Sequence, residues 1–99
     1  MSVEANKEIR RAVDTGKVSF GYKQAKKNLL SGNGEMVIVS KNLPKNEKET
    51  LKQIANVESK KFYEYDDTGL VLGSVCGKPF VISVMLILEA GKSKILEIQ

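Results

Sequence analysis

Lys23, Gln24, Lys26 and Lys27 follow Gly21 in the stretch FGYKQAKKNLL, and no acidic residue lies between Lys17 and Gly34. Lysines in this setting hold phosphates as point charges, while a glutamine amide both donates and accepts hydrogen bonds and can read a base edge. A helix opening at Gly21 would add unpaired amide N–H groups and the positive end of its dipole. Lys23 and Lys27 would then stand one turn apart, opposite an apolar stripe of Tyr22, Ala25 and Leu29. Taken alone, the segment fits both an anion-binding surface and an ordinary solvated helix face.

A second constellation, LGSVCGKPF at residues 72–80, places Gly73, Gly77, Lys78 and Phe80 at a helix-to-strand connection where backbone can approach a ligand closely. It is not a nucleotide-binding P-loop. Three residues separate its glycines where that motif has four, and Pro79 follows the lysine in place of Ser or Thr. The sequence has no histidine and one cysteine, Cys76, which removes the commonest general base, a thiolate metal site and a redox pair. Asp66 and Asp67 are adjacent carboxylates, but Asp-Asp-Thr-Gly reads as turn and helix-start chemistry. Neither a catalytic centre nor a metal or other cofactor is expected.

The 99 residues, 41% of them hydrophobic, suit one domain with a modest core. The net charge is +4, and its excess is confined to the first half: residues 1–50 hold ten Lys or Arg against six Asp or Glu, residues 51–99 six against six. This asymmetry favours an anionic partner. The longest apolar run, within FVISVMLIL, is too short to cross a bilayer as a helix, and the N-terminal residues carry no apolar signal region. A chain of the cytosol is expected, and the single cysteine agrees with a reducing compartment.

The patterning predicts helices alternating with strands. Ala5, Ile9, Ala12 and Val13 recur at helical spacing up to Gly16, and KVSF follows as a strand. The stripe at Tyr22, Ala25 and Leu29 ends at SGNG, and MVIVS reads as a buried strand. A third helix has Leu51, Ile54 and Ala55 on its buried side and begins either with Pro44 in its first turn or at a capping box of Asn46 and Glu49. KFYEY is a third strand, TGLVLGSV a short fourth helix stopped near Gly77, and FVISVMLIL a long central strand. Such alternation predicts an α/β fold: a three-layer α/β/α sandwich, with a central four-stranded mixed sheet and helices on both faces.

The motifs TGKVSFGYKQAKKNL, MVIVSKNLP and LGSVCGKPF stand in the order and spacing of a known family. Over nearly its whole length the chain resembles the ribosomal protein thirty of the large subunit, of the e-type shared by archaea and eukaryotes. That family belongs to a superfamily of α/β/α sandwich proteins binding kink-turns, sharply bent RNA elements with tandem sheared G·A pairs. The resemblance implies a structural constituent of the ribosome, monomeric when free, with ribosomal RNA and large-subunit proteins as partners. It places Gly21, Lys23, Gln24 and Lys27, with Tyr22 among them, against the G·A pairs and nearby phosphates, and Asn42 in a neighbouring loop. Leu72, Gly73, Val75, Gly77, Lys78 and Phe80 would meet the flipped-out nucleotide of the bend.

Structural readings stand beside these. Gln24 can cap a helix, Asn42 can shape a turn, and Leu72 and Phe80 can belong to the core. Cys76 reads as a small packed hydrophobe. Many relatives carry an acidic stretch near the C-terminus where this chain has EAGKSKIL, so Lys92 and Lys94 become possible RNA contacts; Leu43 and LKQIANV also depart from the pattern. Two further classes stay open: a small enzyme using a desolvated lysine, and a basic module binding an acidic protein or an RNA outside the ribosome.

Overall fold

Alternation of apolar side chains along two central strands organises the molecule into layers. The computed structural model describes residues 4–98. Its elements run α1 (Ala5–Thr15), β1 (Lys17–Phe20), α2 (Tyr22–Leu30), β2 (Met36–Val39), α3 (Lys45–Val57), β3 (Lys61–Glu64), α4 (Gly69–Val75) and β4 (Val84–Glu89), with a 3-10 turn at Ile95–Glu97. The sheet order is β1-β4-β2-β3. β4 is antiparallel to both β1 and β2, and β2 is parallel to β3, so the sheet is mixed.

Met36 and Ile38 of β2, with Met85 and Ile87 of β4, face Ile9, Ala12 and Leu72 on one side of the sheet. Val37, Val39, Val84 and Leu86 face Ala25, Leu29, Leu51 and Ala55 on the other. The two-residue repeat of each strand thus feeds two cores, with α1 and α4 covering one and α2 and α3 the other. The expected three-layer sandwich is what the chain forms.

Two local expectations are corrected. The run FVISVMLIL enters the sheet only at Val84, because Phe80–Ile82 instead lies against α4, where the Ile82 amide donates to the Gly69 carbonyl at 3.0 Å. α3 begins after Pro44, and no side-chain capping box forms there. KFYEY stays paired to its end, the Tyr65 amide donating to the Val39 carbonyl at 2.8 Å, while the Tyr65 side chain enters the core and its hydroxyl donates to Asn6 Oδ1 at 2.6 Å. The helix start at Asp-Asp-Thr-Gly is as expected, with Thr68 Oγ1 accepting from the Val71 amide.

Glu8, 6% exposed, fastens the C-terminal segment to α1. Its carboxylate accepts from the Lys94 amide at 2.7 Å and from Ser93 Oγ at 3.3 Å, and Ile95 behind them is fully buried. The Lys94 amide, aided by Arg11 and Ser93, outweighs burial and holds the Glu8 carboxyl below the ordinary carboxylate range. A depressed folded pKa contributes stability that is present above the unfolded value of 4.5 and disappears as pH falls through the folded value. Thermal melts between pH 7 and pH 3 are therefore expected to show a steeper acid loss in the native chain than in Glu8→Gln; equal slopes would exclude Glu8 as a contributor.

Candidate nucleic-acid interface

Four connections meet at one end of the sheet, and hydrogen bonds join them. The Gly21 amide donates to the Val84 carbonyl at 2.9 Å, Ser40 to Ser83 at 2.8 Å and Lys41 to Asp67 at 2.9 Å. Asn42 Oδ1 accepts from both Ser40 Oγ (2.9 Å) and the Gly69 amide (3.2 Å). Its carbonyl oxygen thus ties the β2–α3 loop to the start of α4. Asn42 is exposed, and its amide nitrogen keeps its donors for another partner.

Gly21 opens α2 with φ 107° and ψ 149°, a conformation that side-chain-bearing residues rarely adopt. A Cβ added there would meet no protein atom within 4 Å, so the position stays open to an approaching molecule. The amides of Tyr22, Lys23 and Gln24 have no acceptor within the helix, and its first turn contains no acidic residue. Lys23 therefore sits against the positive end of the dipole, an unfavourable placement that a bound anion relieves. Lys23, Gln24 and Lys27 are exposed. Among the described residues, no ion pair involves Lys23, Lys26 or Lys27. Tyr22 is half-buried against the α2–α3 core, so its ring is mainly a packing group.

The α4–β4 segment divides into packing and surface residues. Leu72 is fully buried, correcting its assignment as a ligand contact, and Val75 packs half-buried on the same core. Gly73 is buried too, for a different reason: a Cβ there would overlap the Phe80 carbonyl oxygen, so this glycine permits a close helix–backbone contact and offers no surface. Phe80 and Val81 are 51% and 56% exposed, and Leu70 is exposed nearby. Lys78 Nζ lies 5.6 Å from the Phe20 ring centroid, and that ring meets Phe80 edge-on at 6.3 Å. One end of the sheet therefore carries lysines and free amides on α2, an amide donor on Asn42, and an aromatic-aliphatic ledge flanked by Lys78.

Sequence reasoning missed Arg10 and Val81. Gly77, with φ 73°, faces the Arg10 guanidinium, whose Nη1 would lie 2.6 Å from an added Cβ. No local signal marks that contact, because helix α1 brings Arg10 in from a distant part of the chain. Val81 was hidden inside an apolar run read as strand. Lys92 and Lys94 follow the far end of β4, where the Lys92 amide donates to Thr15 Oγ1, which removes Lys92 from this surface and ties Lys94 to α1. Cys76 is buried 3.8 Å from Met85 Sδ, and burial, partly offset by Lys78 and Arg10, pushes its thiol up to about 11. It is an unreactive packing group.

The α/β/α sandwich thus carries a basic, glycine-opened loop surface beside an exposed aromatic, the electrostatic footprint by which nucleic-acid-binding domains are read. The chain belongs to the Ribosomal protein L7Ae/L30e/S12e/Gadd45 family, whose model matches residues 3–97. It is 43% identical over 97 residues to the large ribosomal subunit protein eL30 of Methanococcus maripaludis, covering 98% of this chain and 92% of that one. The eL30 proteins of Methanocaldococcus jannaschii and Methanosphaera stadtmanae are each 41% identical, the match covering 98% of this chain and 88% and 99% of theirs.

Proposed function

We propose that this chain is a structural, non-catalytic constituent of the large ribosomal subunit and binds a kink-turn in ribosomal RNA as a single domain. The observation that carries the reading is Gly21: an open backbone position at a helix start that also presents Lys23, Gln24 and Lys27. Lysines and unpaired amides meet phosphates. Gln24, with a neutral amide, reads the exposed edges of the G·A pairs. Asn42 donates from the adjoining loop. Phe80, Val81 and Lys78 form the platform for the unstacked nucleotide, since base stacking on an aromatic tolerates any base. The relatives named as large-subunit proteins support this placement in the ribosome of the cytoplasm. Nothing in the binding surface requires a second copy, so the free chain is read as a monomer.

A salt series with a kink-turn RNA tests the reading. The logarithm of affinity should fall linearly with the logarithm of salt concentration, and Lys27→Ala should make the slope shallower by roughly 0.7 to 0.9 if it removes one phosphate contact. A flat dependence would contradict the proposal. Lys78→Ala should weaken binding by about 1 kcal/mol, the size of a lost charge-assisted contact. Since Lys78 also rests over Phe20, its removal should lower folding stability by about 0.5 kcal/mol, seen in denaturant melts. Full RNA affinity in that variant would remove Lys78 from the interface.

A further inference from the structure

β3 ends the sheet, and its outer edge is open. Lys61 and Tyr65 use their amides toward β2, donating to Glu35 at 3.2 Å and Val39 at 2.8 Å. By the alternation of a strand, the N–H and C=O groups of Phe62 and Glu64 point the other way. No strand flanks that side among the described residues. Beside it runs a groove of about 760 Å³ between the edge and the flank of α3, with Phe62, Lys52 and Lys60 in its lining. A smaller hollow of about 210 Å³ continues toward Lys45 and Glu64.

We propose that this groove receives an extended acidic segment of another protein, added to β3 as a fifth strand. The outward groups of Phe62 and Glu64 form a short ladder onto which another extended backbone can add. Charge selects the occupant. Lys48 and Glu64 pair at 3.0 Å and neutralise each other, leaving Lys45, Lys52 and Lys60 against Glu49. Every second side chain of an added strand would rise toward α3, so acidic residues two apart would meet these lysines. A second copy of this chain is the competing occupant, and slowing of the Phe62 and Glu64 amides that rises with protein concentration in the absence of peptide would overturn the proposal. A nucleic-acid strand is disfavoured because a sugar-phosphate backbone has no alternating N–H and C=O groups to pair with those of Phe62 and Glu64.

The probe is an acetylated, amidated nine-residue peptide in which Glu and Val alternate, titrated into the isotope-labelled full chain. Amide exchange at Phe62 and Glu64 should slow about tenfold at saturating peptide, corresponding to ~1.4 kcal/mol of added protection. The double change Lys52→Glu with Lys60→Glu should weaken the peptide at least about tenfold. Glu64→Pro, which removes an outward N–H that an edge strand can lose, should abolish binding, while Glu64→Gln retains it. No slowing at the two amides, or equal binding by a peptide N-methylated at alternate residues, would overturn the proposal. Tighter occupation of the groove by a uridine octanucleotide would overturn it in favour of nucleic acid. None of these readouts uses the Gly21 surface.

Discussion

Gly73→Ala is expected to destabilise the fold by about 2 to 3 kcal/mol, the upper range for forcing extra atoms into a packed interior. At this chain length that lowers the melting temperature by roughly 10 to 20 °C. The added methyl would overlap the Phe80 carbonyl oxygen, a backbone atom that no rotamer change can move aside. Gly69, one turn earlier on α4, is held in the same way by the Ile82 carbonyl. Relief would require α4 and the Phe80–Ile82 segment to separate, taking buried Leu72 and Ile82 with them. Denaturant unfolding of the variant measures this; a loss below about 0.5 kcal/mol would mean that the contact is slack.

Gly21→Ala separates binding from folding in the opposite sense. Strain at a positive φ should cost about 1 to 3 kcal/mol of stability, but the methyl itself meets nothing within 4 Å in the protein. Its consequences should appear against RNA. If the Gly21 backbone sits on the kink-turn, affinity should fall on the order of 100-fold, ~2.7 kcal/mol, when measured well below the melting temperature. Unchanged affinity in a folded variant would show that the RNA does not approach this backbone.

The helices and the layer order were legible because α1, α2 and α3 each repeat apolar residues at helical spacing, and β2 is apolar throughout. The strand order was not: β4 lies between β1 and β2, a placement fixed by pairings far apart in sequence. Local patterning also failed at residues 80–83, where an apolar run continues toward β4 but the backbone is drawn onto α4 by two glycines. The same contact explains the divided fate of the second loop. In a seven-residue helix, Leu70 is 67% exposed and Leu72 fully buried, a contrast decided by the orientation of α4 that hydrophobicity cannot reveal. Phe80, level with Leu72 as a candidate, falls on the open side. The Glu8 latch and the Arg10–Gly77 contact join remote segments, so no short motif announces them.

Base recognition is the central claim, and one comparison tests it most directly. Native chain and Gln24→Ala are each measured, at the same moderate salt, against a kink-turn RNA and against the same RNA with its sheared G·A pairs replaced by Watson–Crick pairs. The native chain should prefer the kink-turn by roughly 1,000-fold, the lower end of specific over nonspecific binding. Gln24→Ala leaves net charge unchanged, so it should erode that preference while weak duplex binding persists. Equal affinity of the native chain for the two RNAs would contradict the account, leaving a basic surface that attracts phosphates without reading the bend.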